Sequence, residues 1–328
     1  MKVLFAGLLF GLLISLSGHS VGAEDYSIPA EPPFLKLNPF TQAKQELGEM
    51  LFFEPRLSGD NSLSCASCHQ PDRAYEDGLS SARGVDGRQG RRSTPSLANI
   101  AFAQALTWDG RVALPEGAVL GPISSETEMA EDLDSLVVEL AAIPEIAGAF
   151  ERAYPGEGVT LGGVSAAVAI YLRTRVSASS PFDAWRAGDA AAVSESAKRG
   201  FDLFTGKAGC QDCHRGWRFT DDTFHDIGLA ISDDLGRAGL LDEDERADPE
   251  NVKDFYAFRT PGLRDIAIRS PYMHDGSLKR LEDVIDHYAD EVRMRESLSP
   301  RLRPIDLSAV ERADLVAFLN SLTGGMTP

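Results

Sequence analysis

Two short motifs hold the side chains of this sequence that are best suited to chemistry. Each has two cysteines separated by two residues and a histidine directly after the second cysteine: Cys65, Cys68 and His69, then Cys210, Cys213 and His214. This C-x-x-C-H spacing is the attachment signature of c-type haem, because two thiols bond to the haem vinyl groups while the imidazole reaches the iron. The sequence therefore predicts two covalently bound haems. Two disulfides, or two redox-active dithiols, are the alternative for four cysteines in an exported chain.

The amino-terminal sequence predicts that the chain is exported from the cytoplasm. It combines one lysine, an apolar run from Val3 to Leu16 and a small-residue cleavage site at Val21-Gly22-Ala23, so residues 1–23 are expected to form a cleaved signal peptide. The apolar run is too short to cross a bilayer, and no later stretch is long enough to do so. We expect a periplasmic protein without a membrane span.

The charge of the chain limits its partners. With a formal net charge of −18 over 328 residues, an acidic surface argues against nucleic acid and anionic membranes. Such a surface is either simply solvated or meets a partner with a basic face.

An internal repeat surrounds the two motifs and shows which elements must position them. A helix-like pattern ending in Leu-Phe precedes each motif, and TPSLANIAFAQALTWDG (94–110) aligns with TPGLRDIAIRSPYMHDG (260–276). The alignment puts Trp108 where the second copy has His274. We therefore expect two cytochrome c-like haem domains with long loops, over residues 24–180 and 181–328, joined near 177–194.

The remaining patterns predict a mostly α fold. Apolar residues recur at helical spacing over residues 131–150, 162–176 and 279–292. The last helix is expected to begin after Ser308, with Glu311 completing a capping box, and to end at Gly324-Gly325. No sustained strand alternation occurs.

Together these segments resemble the bacterial di-haem cytochrome c peroxidase and MauG family over nearly the whole mature chain. The specific parts are LFFEPRLS, the two haem motifs, TWDGR, PISSETEM, TFHDIGL and RTPGLRDIAIRSPYMHDGS. The resemblance implies a periplasmic peroxidase in which hydrogen peroxide drives the two haems to a high-valent state that oxidises a substrate. His69 and His214 would be the proximal iron ligands.

An open position on the first iron is expected. In some family members a histidine from the loop after the first motif fills it, but residues 70–92 contain no histidine, methionine or cysteine. The resemblance also implies that Glu128 is the acid–base group that moves a proton during peroxide cleavage. Glu126 is the alternative, and Ala118 replaces a glutamine that is common in the family.

The second iron is where subgroups differ. The peroxidases that consume electrons place a methionine 14 residues after the histidine of the His-Asp-Gly motif, whereas this chain has Tyr288 there, as MauG-like members do. An anionic phenolate favours oxidised iron, while thioether sulfur favours reduced iron. The alternative is that Tyr288 is a core residue and Met294 or Met273 is the ligand.

The resemblance implies two further features. Trp108 would lie between the haems and carry charge; an ordinary buried tryptophan is the alternative. Family members also hold calcium between the domains, and the matching positions here are Ser93, Thr260 and Pro261, with serine replacing asparagine.

Three functions follow as hypotheses. The leading one is a MauG-like peroxidase that oxidises a residue of a partner protein, and the compact end of the chain is similar to methanobactin-associated (MbnH-like) relatives. The second is a cytochrome c peroxidase that reduces hydrogen peroxide to water with electrons from a small redox protein. The third is a di-haem electron-transfer cytochrome without catalysis. Trp217, just after the second motif, is a possible exit for oxidising equivalents.

Overall fold

A computed structural model of the protein describes residues 25–327, so the expected signal peptide lies outside the described residues. The fold is mostly α, as predicted. The helices are α1 Gln42–Phe52, α2 Cys65–Cys68, α3 Pro115–Ala118, α4 Leu120–Ser124, α5 Leu133–Ala141, α6 Pro144–Ala153, α7 Leu161–Arg173, α8 Pro181–Arg186, α9 Glu195–Thr205, α10 Glu243–Ala247, α11 Leu281–Asp286 and α12 Ala309–Asn320. Two short antiparallel strands, β1 Phe224–His225 and β2 Phe258–Arg259, form the sheet found in the described residues.

Short 3-10 turns and one π turn complete the backbone. The 3-10 turns are Pro55–Leu57, Pro71–Arg73, Val85–Gly87, Ile100–Phe102, Cys210–Asp212, Arg237–Leu240, Pro249–Asp254 and Ile266–Ile268. The π turn, His287–Glu291, follows α11 without a break. Among residues 25–327, no helix has the length and apolar character needed to cross a membrane.

Each haem motif lies against its own hydrophobic core, which Cys65 contacts in the first half and Cys210 in the second. The first core is built on the packing of α1 against α7, and the second on α9 against α12. In both pairs a glycine allows the backbones to approach: a Cβ on Gly48 would overlap the Ala167 carbonyl, and one on Gly200 would overlap the Asp314 carbonyl. The two glycines occupy matching places in the repeat, each separated by two residues from Leu-Phe.

The repeat is also visible in the backbone of the two Thr-Pro segments. Leu106 bridges to Val112 in the first copy, and Tyr272 bridges to Leu278 in the second. These bridges close equivalent turns, so the structure supports the alignment that places Trp108 opposite the position of His274.

Three helix predictions can be compared with the structure. The helix α7, Leu161–Arg173, covers most of residues 162–176, and α12 begins after Ser308, whose hydroxyl and Glu311 form the predicted capping box. Residues 131–150, where apolar residues recur at helical spacing, form two helices, because Pro144 starts a new helix and separates α5 from α6.

The segment expected to join the domains is partly helical. Within residues 177–194, α8 forms a capping box from Ser180 and Asp183 and packs into the second core. Tyr26 also belongs to that second core, although the first domain was predicted to begin at residue 24. The domain boundaries therefore stay predictions.

Candidate functional site

The first haem motif forms a short helix that presents its histidine to the interior. α2 spans both cysteines, and Ser64 and Ser67 close a capping box at its start. The His69 Nδ1 lies 3.0 Å from the Tyr75 carbonyl oxygen. Because a carbonyl only accepts hydrogen bonds, Nδ1 carries the hydrogen, and the unprotonated Nε2 can bind a metal. Burial lowers the pKa of His69, partly opposed by this carbonyl, so the imidazole is neutral and suited to bind iron.

The second motif repeats this arrangement. It lies in the 3-10 turn that begins at Cys210, and the Nδ1 of His214 lies 2.9 Å from the Phe219 carbonyl oxygen. Burial again lowers the pKa of the histidine, with the carbonyls of Phe219 and Pro261 opposing it. Both histidines are thus held in the tautomer that leaves Nε2 for a metal.

A cavity of about 1000 Å³ adjoins the first motif, and its residues fit a haem. The lining includes Cys65, Cys68, His69, Trp108, Ala118 and Glu128. All four cysteines are free thiols, which does not support the disulfide alternative. Burial raises the pKa of Cys65 to about 12 and that of Cys68 to about 11. The size, the thiol pair and the oriented imidazole together suit a large, covalently attached planar cofactor.

Glu128 faces this cavity from the segment after α4. Its side chain is exposed to the open space of the cavity. The cavity walls around it still reduce its contact with bulk solvent, and this desolvation raises its pKa. The positive charge of Arg111, which also lines the cavity, partly offsets that rise. Both Glu126 and Glu128 are exposed, but only Glu128 lines the cavity, so geometry favours Glu128 as the acid–base group.

Arginine and aspartate residues hold the rim of the cavity. The Asp109 carboxylate accepts hydrogen bonds from the guanidinium groups of Arg111 and Arg92, the latter at 2.6 Å. Burial alone would raise the pKa of Asp109, but these bonds outweigh it and hold the pKa well below its ordinary range. Arg92 also binds Asp234 at 2.7 and 2.8 Å, which ties the loop after the first motif to the second half of the chain.

Trp108 lies where the two repeat segments meet. Its side chain is 9% exposed, and its Nε1–H donates to the Ser93 carbonyl oxygen at 2.8 Å. The indole and the His274 imidazole face each other edge-on with centroids 6.5 Å apart. The Arg259 amide donates to the Trp108 carbonyl at 2.7 Å. The two matched positions of the repeat are therefore neighbours in space.

Tyr288 is the second residue of the π turn and faces the second motif. Burial strongly raises the pKa of its hydroxyl, and the thiols of Cys210 and Cys213 lie close enough to raise it further. An uncompensated phenolate would be costly here, so a bound cation such as iron is what could stabilise it.

The two methionine alternatives differ from Tyr288 in their surroundings. Met294 is 82% exposed, and a thioether in that position is directed to solvent rather than to a buried iron. Met273 uses its carbonyl oxygen to accept a hydrogen bond of 2.9 Å from the Ser93 hydroxyl.

The three positions matched to a calcium site do not fit one as they are arranged. The Ser93 hydroxyl hydrogen-bonds to the carbonyls of Met273 and His274, at 2.9 and 3.2 Å. The Thr260 carbonyl accepts from the Thr220 hydroxyl at 2.7 Å. The Pro261 carbonyl faces His214. Calcium needs several free oxygen ligands, and a direct serine-to-carbonyl link occupies this junction instead.

The other two histidines near the second motif have structural contacts. His225 bonds to Asp221, Thr223 and Ser299 at 3.0, 2.9 and 3.0 Å. His274 stacks on Phe258 with ring centroids 3.5 Å apart.

Three functional positions were not identified from the sequence. Arg111 lies within the quoted TWDGR segment, and its place three residues after Trp108 was an available signal. Arg92 and His287 gave no such signal, because their partners Asp234 and Ile227 are distant along the chain.

Comparisons with known proteins agree with these features. Residues 42–191 match the family model described as di-haem cytochrome c peroxidase. The chain is 46% identical to the methylamine utilization protein MauG of Methylorubrum extorquens over 295 residues, which cover 90% of this chain and 82% of that protein. It is 31% identical to the cytochrome c551 peroxidase of Pseudomonas aeruginosa, covering 90% and 83%.

A solved structure is similar over the whole fold. The crystal structure of a MauG-like protein associated with microbial copper homeostasis superposes with a TM-score of 0.83 at 31% identity, covering 92% of this chain and 96% of that one.

Proposed function

The chain belongs to the di-haem cytochrome c peroxidase family that includes MauG, and from this premise we propose that it uses hydrogen peroxide to oxidise a residue of a partner protein. The observation that carries the proposal is Tyr288, half-buried beside the second haem motif where an electron-consuming peroxidase would need methionine. We further propose that the protein acts in the periplasm, after removal of residues 1–23.

The ligand assignment follows from the side chains described above. His69 would bind the first iron, and His214 and Tyr288 the second. Each bound haem supplies an iron that can exchange electrons with peroxide or with a substrate. The Nδ1 hydrogen bonds of the two histidines orient their rings and increase their basicity as ligands.

Glu128 would move the proton that peroxide cleavage requires. One Oε of its carboxylate takes the proton from the near oxygen of hydrogen peroxide and returns it to the far oxygen, which leaves as water. Its raised pKa makes this exchange easier near neutral pH. Arg111 lies close enough to lower that pKa partly through its positive charge.

Trp108 would connect the two halves electronically. It lines the cavity of the first motif and faces His274 of the second repeat. Its buried indole, held by the hydrogen bond to Ser93, is the easily oxidised side chain between them.

Trp217 would pass oxidising equivalents to the partner protein. It lies three residues after His214, is half-buried, and meets Phe102 edge-on with centroids 4.8 Å apart. Trp217→Phe is expected to slow oxidation of a tryptophan-containing peptide used as the probe, whereas Trp185→Phe, a half-buried control elsewhere, leaves it unchanged. Equal rates in wild type and Trp217→Phe would remove Trp217 from the proposal.

The second candidate function is reduction of peroxide to water with electrons from a small redox protein, which the 31% identity to cytochrome c551 peroxidase favours. That function suits a methionine ligand, and the exposure of Met294 speaks against it. A purely electron-transferring cytochrome would need both irons closed, whereas loop 70–92 contains no histidine, methionine or cysteine. Its Tyr75 is buried against Phe52 and Tyr171. Calcium is not part of the proposal.

The ligand assignment is tested by absorption and resonance Raman spectra of the ferric holoprotein. Wild type is expected to show a phenolate-to-iron signature that Tyr288→Phe abolishes and that Met294→Leu leaves unchanged. A sulfur-to-iron band lost in Met294→Leu would favour the electron-consuming peroxidase.

A further inference from the structure

The π turn that contains Tyr288 is held by a residue with no assigned role. π turns are rare, occur mostly as single turns and are frequent at functional sites. We propose that His287 is a positioning residue, which fixes this turn so that the Tyr288 hydroxyl is presented to the second haem. This inference rests on the proposed ligand role of Tyr288.

The contact of His287 is specific. The residue is 3% exposed, and its Nε2 lies 2.9 Å from the carbonyl oxygen of Ile227. Because a carbonyl can only accept, we assign the hydrogen to Nε2. The imidazole also meets the Tyr288 ring edge-on, with centroids 5.2 Å apart. The residue directly before Tyr288 is therefore tied to a segment 60 residues earlier in the chain.

The same segment also holds the chain after the π turn. We call residues 226–229, which follow β1, the clamp loop. The Arg293 amide donates to the Gly228 carbonyl at 2.9 Å, and Arg295 Nη1 donates to the Leu229 carbonyl at 2.8 Å. Both ends of the π turn are thus bound to one loop, which limits how far Tyr288 can turn.

The clamp loop is itself rigidly built. The buried Asp226 carboxylate accepts from the Ser297 hydroxyl at 2.7 Å and from the Gly228 amide at 2.9 Å, and it pairs with Arg295. Gly228 has φ of +71°, and a Cβ there would lie 2.7 Å from Val292 Cγ1. Only glycine allows the loop and the chain after the turn to approach this closely.

Loss of the His287 bond should change the position of Tyr288. A π turn is intrinsically less favourable than an α-helix, so without its anchor the segment can relax to continue α11. Each residue of an α-helix turns the side chain by about 100°, and removing the extra residue of the π turn would direct Tyr288 away from the second motif. An ordinary buried hydrogen bond would stabilise the fold without affecting this ligand.

Two amide variants separate these roles. His287→Gln places a nitrogen near the position of Nε2 and can still reach Ile227, whereas His287→Asn is shorter by one methylene and cannot. We expect the ferric holoprotein of His287→Gln to keep the phenolate-to-iron Raman signature and His287→Asn to lose it. The control Tyr272→Phe removes another buried side-chain bond to a carbonyl, 3.1 Å to Ile266, and should lower the unfolding temperature without a spectral change.

Each outcome bears on one proposal. If His287→Asn keeps the signature while Tyr288→Phe loses it, the ligand assignment stands and the positioning role of His287 is wrong. If His287→Asn merely unfolds at a lower temperature, as Tyr272→Phe does, the role is structural and the inference is overturned. If Tyr288→Phe leaves the wild-type spectrum unchanged, the ligand proposal fails and the inference with it. Should His287→Asn not load haem, loss of the signature in His287→Leu serves as the same test.

Discussion

At the scale of single residues, the first haem motif shows how surroundings decide chemistry. Glu128 and Glu126 are the same residue type two positions apart, yet only Glu128 lines the cavity, whose walls raise the pKa of that carboxyl by burial. The sequence offered both, and the family resemblance favoured Glu128. The influence of Arg111 on the pKa of Glu128 was not predicted, because the sequence does not show that these two residues face the same cavity.

Replacing Glu128 tests its proton transfer. Glu128→Gln keeps the shape but cannot accept a proton, so the rate of reaction with peroxide should fall about 100-fold or more. In wild type the rate should rise with pH through a pKa above the ordinary 4.5, since the carboxylate form takes the proton. Stopped-flow absorption measures both. Glu126→Gln should react at the wild-type rate, and an equal loss in both variants would contradict the role.

Asp109 should make the stability of the protein sensitive to acid. Its folded-state pKa lies below the ordinary 3.8, so the charged carboxylate contributes stability above that unfolded value, and the contribution is lost as the pH falls through the folded pKa. Asp109→Asn should therefore unfold at a lower temperature than wild type at pH 7, with the difference narrowing below about pH 4. Asp86→Asn, in an exposed pair, is the control and should show little difference at either pH.

At the scale of elements, the sequence predicted the helix boundaries that depend on residues close together in the chain. The start of α12 follows from the capping box of Ser308. The break between α5 and α6 follows from Pro144, a signal that the helical spacing over 131–150 does not include. The π turn after α11 could not be read from the sequence. Its extra residue is held by the bond from His287 to Ile227, and a periodic apolar pattern carries no information about such a distant anchor.

The close helix pair in the second core gives a prediction at this scale. Gly200→Ala should lower the free energy of unfolding by about 1–3 kcal/mol, because the added Cβ meets the Asp314 carbonyl and forces α9 and α12 apart. Chemical denaturation of the holoprotein measures the change. Gly162→Ala in α7, where a Cβ has open space, should be neutral or stabilising, since alanine favours helices. Equal destabilisation would argue that the contact is not the cause.

At the scale of the whole molecule, the repeat places two similar cores beside the two haem motifs. The sequence revealed this duplication because the motifs and Thr-Pro segments are local and aligned. It did not reveal how the halves are joined, since the Arg92–Asp234 pair and the Ser93 link to Met273 connect residues that are far apart in the chain.

The first haem should be part of the core rather than an addition to it. The double variant Cys65→Ser and Cys68→Ser cannot attach the first haem covalently. Without the haem, the cavity of about 1000 Å³ either collapses or fills with water. We expect a loss of stability on the order of 5 kcal/mol, above that of a single large core truncation, and no reaction with peroxide. Calorimetry and the spectrum of the second haem measure this; an unchanged unfolding temperature would contradict it.

The most direct test of the account is to add one equivalent of hydrogen peroxide to the fully ferric holoprotein, without reductant, and to follow the absorption of both haems. The account predicts that both spectra change together, because the first site is open and Tyr288 favours oxidation of the second iron. If neither spectrum changes until one haem has been reduced, the second haem stores electrons instead, and both the Tyr288 assignment and the oxidation of a partner protein would be contradicted.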